Sequence, residues 1–119
     1  MALTSADLAE LRALLGDSGV LASEAALFTY EADALTLERR PPDAVVLPRS
    51  TDEVSALVRW ARANGMPVTP RGAGTGLAGG ATTEQGGLSL SLNRMDQVLR
   101  VDGSRMFAWV QPGLVNLWL

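Results

Sequence analysis

The sequence has 119 residues, 47% of them apolar, a net charge of −3, and neither Cys nor His. That length bounds it to one domain or part of one, and the apolar share is enough for a packed core. All ten basic residues are Arg, and the negative balance argues against a nucleic-acid partner. Without Cys there are no disulfides, thiolate catalysis or Cys-based zinc sites. Without His the commonest general base and transition-metal ligand are missing, and no paired carboxylates replace it, so no catalytic or metal-binding residue is expected. No apolar run approaches the roughly 18 residues of a membrane span, and the N-terminus lacks a basic leader. A cytoplasmic protein is the expectation.

In chain order, Thr4 to Asp7 reads as a capping box. Leu8, Leu11, Leu14 and Leu15 then share a helical face, with Gly16 as the stop, so a helix is expected over 5–15. A short helix near 23–29 and irregular chain up to Pro41-Pro42 follow. Ala44 to Leu47 is a short apolar strand closed by Pro48. Ser50 with Glu53 opens a second helix, and Val54, Leu57, Val58 and Ala61 have the i, i+3, i+4, i+7 spacing. Trp60 reads as packing, and Asp52, Glu53 and Arg59 as a solvated helix face. Asn64-Gly65 and Pro67 end that helix, and Val68 to Arg71 is a second strand, which makes a βαβ unit with parallel strands. Leu88, Leu90 and Leu92 alternate with Ser89, Ser91 and Asn93, the period of a half-buried strand. Val98–Asp102 and Met106–Gln111 read as a hairpin around Asp102-Gly103.

Between the second and third strands, five of the nine residues 72–80 are glycine. Average usage of about 7% predicts fewer than one. Glycines lose much chain entropy on folding, so the cluster needs a reason. Close approach of backbone N–H groups to a phosphate is such a reason, and the loop lies at the end of a βαβ strand, where ligands gather. Arg71 adds a charge and Thr75 a hydroxyl. A plain turn rarely needs more than two glycines. A Walker A loop needs Lys. Gly74-Thr75-Gly76-Leu77-Ala78-Gly79 matches the G-x-G-x-x-G of a Rossmann NAD binder, and Asp96 lies near the distance of its ribose acid. That fingerprint must open a helix, which the four glycines and two threonines of 79–87 oppose.

Pro67 to Ala81 closely resembles the diphosphate loop of the vanillyl-alcohol-oxidase-like (PCMH-type) FAD-binding domain. Tyr30 with Asp33, Pro42 to Pro48, Thr51 to Val54, Gly87 to Leu92 and Val110 to Gly113 resemble the same family. Within it, the likeness is greatest to the FAD-linked subunit of bacterial glycolate oxidase and to D-lactate and D-2-hydroxyglutarate dehydrogenases. The resemblance implies an α+β fold: an N-terminal helical segment (1–40), then the N-terminal part of a PCMH-type domain (41–119), with the βαβ unit and further strands but incomplete. It implies FAD held at Arg71, Gly72, Ala73, Gly74, Thr75, Gly76, Leu77 and Gly80, with the Pro112-Gly113 turn approaching the cofactor. Some members attach FAD through a His in or near this loop. Thr75 stands there here, so noncovalent FAD is expected.

The implied reaction is oxidation of a 2-hydroxy acid, in the longer remainder of such enzymes. The chain is therefore expected to be inactive alone, as a truncated or interrupted product, and to have the rest of the flavoenzyme or other oxidase subunits as partners. Alternatives are a natural stand-alone domain, a split-enzyme piece, or a folded interaction module that has lost the cofactor. Tyr30 and Asp33 are read either as contacts to the remainder or as local packing and capping. Apolar residues from Leu114 to Leu119 are expected to be exposed and to drive self-association.

Overall fold

A computed structural model describes residues 3–119. Helix α1 (Ser5–Leu15) begins at Thr4, whose hydroxyl accepts from the Asp7 amide while the Asp7 carboxylate accepts from the Thr4 amide. Leu11 is fully buried, Leu8 and Leu15 pack beside it, and Leu14 is left partly in solvent. A single 3₁₀ turn leads to β1 (Val20–Leu21), which the sequence pattern did not reveal. Next comes α2 (Glu24–Phe28), the short helix expected near 23–29, and then irregular chain as far as β2 (Ala44–Val46).

Helix α3 (Thr51–Ala63) is capped by the Ser50 hydroxyl, which accepts from the Glu53 amide. The Glu53 carboxylate reaches back one residue further than a capping box requires, to the Arg49 amide. Leu57 and Ala61 are buried and Val54 and Trp60 pack beside them, whereas Val58 is 48% exposed. The Trp60 indole N–H also donates to Glu10, tying α3 to α1.

Strands β3 (Val68–Arg71) and β4 (Leu88–Ser91) complete a sheet of order β1-β2-β4-β3. β2, β4 and β3 run parallel and β1 antiparallel. The strands of the expected βαβ unit are thus parallel but not neighbours, because β4 inserts between them.

This insertion corrects the reading of β4 as half-buried. A strand between two others, covered on both faces, has no solvent side, and all four of its residues are buried. Leu88 and Leu90 join Leu11, Val46, Leu57 and Ala61 in the core under the helices. Each such leucine contributes about 1.5–3 kcal/mol by leaving water. Ser89 and Ser91 alternate to the other face.

Past β4 the chain forms a separate two-stranded ribbon, β5 (Val98–Asp102) and β6 (Phe107–Val110), with a bulge between Val98 and Arg100. The hairpin is where the sequence placed it, but its turn is longer than an Asp-Gly pair suggests. Residues 103–106 loop out between Asp102 and Phe107, and the Asp102 carboxylate accepts from the Ser104 hydroxyl and Arg105 amide. No helix among the described residues is long and apolar enough to cross a membrane. Val115, Leu117, Trp118 and Leu119 are exposed, as expected, whereas Leu114 is partly buried.

Candidate functional site

The glycine-rich stretch leaves β3 and runs without helix or strand from Gly72 to Gly87. A Rossmann fingerprint would open a helix there, so that reading is excluded. Among the described residues, no amide from Gly72 to Ala81 donates to a protein acceptor. A run of free amides on a loop with positive φ at Gly74 and Gly79 is the kind of surface that accepts anionic oxygens.

Two carbonyls in the loop are turned aside. The Ala34 amide donates to the Gly76 carbonyl at 3.1 Å, and the Thr82 amide to the Gly79 carbonyl at 3.0 Å. Among the described residues no peptide is cis, so each carbonyl points opposite to the N–H that follows it. The Leu77 N–H is thereby turned away from Ala34, and the Gly80 N–H away from Thr82.

Arg71 is buried, at 8% exposure. Its Nη1 donates to the Ala32 carbonyl at 2.8 Å, and its guanidinium lies 5.3 Å from the centre of the Tyr30 ring. No carboxylate within 4 Å neutralises it among the described residues. Gly74 is the residue that this packing demands. A Cβ there would lie 2.2 Å from Arg71 Nη2, and φ is +72°. Arg71 thus supports the loop from behind as well as supplying its charge.

A groove of about 310 Å³ runs along the loop, lined by Gly72, Ala73, Gly74, Thr75, Gly76 and Gly80 together with Asp33, Pro70, Ala78 and Ala81. A second groove of about 540 Å³ shares Ala73 and is lined by Pro112, Gly113, Asn93, Asp96 and Trp118 among others. Nine of the ten sequence-selected residues therefore cluster: eight line these grooves, Pro112 and Gly113 included, and Arg71 braces them. The exception is Leu77, whose side chain is exposed and lines neither groove.

Gly113 owes its identity to packing. Its amide donates to the Met95 carbonyl, and a Cβ would sit 2.2 Å from the Leu92 carbonyl oxygen. Asn93 was not singled out, because no motif marks it, and Asp33 was noted with Tyr30 only as a contact to the remainder or a local cap; the fold brings both to the grooves.

Comparison with known proteins bears on the fold and the cofactor. The FAD binding domain family model matches residues 42–117. Glycolate oxidase subunit GlcD of Bacillus subtilis is 40% identical, over 80% of this chain and 20% of that protein. The probable mitochondrial D-lactate dehydrogenase of Danio rerio is 39% identical, over 88% of this chain and 21% of that one. D-2-hydroxyglutarate dehydrogenase of Stutzerimonas stutzeri is 34% identical, over 92% and 24%. Among solved structures, alkyldihydroxyacetonephosphate synthase superposes with a TM-score of 0.84 at 26% identity, over 98% of this chain and 24% of that one. For p-cresol methylhydroxylase with substrate bound the values are 0.79 and 25%, over 94% and 23%. The chain spans about a fifth to a quarter of these relatives' length. With its model matched over most of the sequence, this chain belongs to the family of FAD-binding domains, and its cofactor is FAD.

Proposed function

We propose that this chain is the diphosphate-holding portion of a flavoenzyme that oxidises a 2-hydroxy acid of the glycolate or D-lactate kind. The observation that carries the reading is that, among the described residues, the unbroken run of amides from Gly72 to Ala81 has no protein acceptor and the adjoining Arg71 guanidinium has no carboxylate partner. The residues fit a diphosphate: the amides of Gly72, Ala73, Gly74, Thr75, Gly76, Leu77 and Gly80 supply donors, and Arg71 supplies the only formal positive charge in the loop. Pro112 and Gly113 line the adjoining groove, which has room for the next part of the cofactor. Bound flavin supplies hydride acceptance, and the protein's part is to hold and orient it.

The substrate class rests on the likeness to GlcD and the D-lactate dehydrogenase, since no residue of this chain is assigned to substrate. Catalysis then belongs to segments that the relatives have beyond this span. Attachment through this span is noncovalent in this reading, since it holds neither His nor Cys. A cytoplasmic location, and division of the chain near residue 40 into a helical segment and the FAD-binding part, complete the reading.

We also propose that Leu117, Trp118, Leu119 and the exposed apolar residues of the hairpin are covered by another subunit or a second copy. Sedimentation of the purified chain tests this, and a monodisperse monomer contradicts self-association. Cofactor binding is tested by titrating FAD onto the chain and following flavin fluorescence, with NAD as control. Saturable change with FAD alone supports the reading. A folded chain that binds neither favours the interaction module instead.

A further inference from the structure

The stretch between α2 and β2, irregular by sequence, runs alongside the glycine loop and is fastened to it in matching order. Ala32 receives the Arg71 guanidinium, Ala34 donates to Gly76, the Arg40 carbonyl receives the Thr83 hydroxyl, and Asp43 exchanges two hydrogen bonds with Gly87. Within this strap Asp33 is a buried carboxylate, 7% exposed, with no ion pair among the described residues. Burying such a group is costly unless it is hydrogen-bonded. Its Oδ1 accepts from the Leu35 amide at 2.8 Å, which closes a tight turn over 33–35.

That turn is bonded to the loop at Gly76 and lies close beside it at Gly76 and Gly79. Its middle amide, Ala34, holds the Gly76 carbonyl, while Asp33 Oδ2 lies 3.8 Å from where a Gly76 Cβ would be. Leu35 Cδ2 likewise lies 3.9 Å from the Cβ position of Gly79. We infer that Asp33 is a positioning residue for the diphosphate cradle: its carboxylate shapes the turn that delivers the Ala34 amide to the Gly76 carbonyl, and so aims the Leu77 N–H. The inference rests on the diphosphate reading for its functional consequence, but the positioning itself is a property of the ligand-free chain.

The test compares wild type, D33A and D33N in two measurements: amide hydrogen exchange of the free chain, and FAD titration. D33N keeps the oxygen acceptor and loses the charge, whereas D33A loses the acceptor. With D33A the Ala34 amide exchanges about tenfold faster and FAD binds about tenfold more weakly, while the amides of Leu57 and Leu88 keep their protection. D33N keeps Ala34 protection and FAD affinity within about threefold of wild type. Wild-type exchange at Ala34 in D33A, wild-type FAD affinity in D33A, or equal damage in both variants overturns the assignment. Should D33A fail to fold, D33N decides: a protected Ala34 supports the role and an unprotected one overturns it. If wild type binds no FAD, the diphosphate reading fails, and the exchange of Ala34 still decides whether Asp33 positions the loop.

Discussion

The two halves of the molecule solve the burial problem differently. From α1 to β4, side chains such as Leu11, Leu57 and Leu88 lose all contact with solvent, and β4 is covered on both faces. In the hairpin, no strand residue is fully buried, and Leu99, Val101 and Trp109 are each more than 60% exposed. The glycine loop belongs to the first half, braced from behind by Arg71 and the strap. The groove that continues from Ala73 is bounded by Pro112 and Gly113, at the end of the second half. The difference teaches that the glycine loop, the proposed phosphate cradle, is set by a core already in place. The neighbouring groove is lined by the segments on either side of a ribbon with no core of its own, which are joined by backbone bonds such as Gln111 to Gln97 and Gly113 to Met95.

The largest contrast should appear on truncating one leucine in each half. Leu88→Ala is expected to cost about 2–5 kcal/mol in denaturant unfolding, and Leu99→Ala to stay within about 0.5 kcal/mol. Equal losses would mean that the hairpin packs as tightly as the body. Next comes Gly113→Ala, whose new Cβ collides with the Leu92 carbonyl. It is expected to cost about 1–3 kcal/mol, with amide shifts centred on 92–96 and 112–118 while the glycine loop is undisturbed. Shifts spreading through Gly72 to Ala81 would show that the halves are coupled more closely than described.

A smaller effect of opposite sign is expected on β4. Ser89 Oγ and Ser91 Oγ are buried without a hydrogen-bond partner among the described residues. Ser89→Ala should stabilise the chain by about 1 kcal/mol, because it removes a polar atom whose desolvation nothing offsets. A loss of stability of that size would mean that the hydroxyl has a partner.

The smallest effect is electrostatic. The Ser104 hydroxyl and then the Arg105 amide hold the Asp102 carboxyl below its ordinary range, and the Thr4 amide and hydroxyl do the same for Asp7. A carboxyl lowered on folding contributes stability above its unfolded pKa and loses it as pH falls through the folded one. Acid should therefore loosen the hairpin turn and the start of α1, and D102N should abolish the first loosening only. Carboxyl NMR titrations showing either group at or above its ordinary pKa would contradict this.

The sequence made the helices legible through their caps and spacing, and the site through its glycines. It hid what depends on distant partners. Ser89 and Ser91 look like the wet side of a strand until β2 and β3 flank it. Val20-Leu21 is too short to show a period and is a strand only because β2 pairs with it. Asp33 lies in a stretch without regular spacing, and its place beside Gly76 comes from tertiary contacts alone. Arg71 was read as a phosphate contact, whereas the structure also gives it Ala32, Tyr30 and Gly74 to hold.

The central claim is that the free amides of the loop receive the FAD diphosphate. Two-dimensional amide NMR of the isotope-labelled chain during FAD titration tests it most directly. The account predicts saturable shifts concentrated in Gly72 to Ala81, Leu77 and Gly80 among them, with smaller ones at Gly113. Saturable shifts confined to the hairpin or the helices, with the glycine loop unmoved, would contradict it.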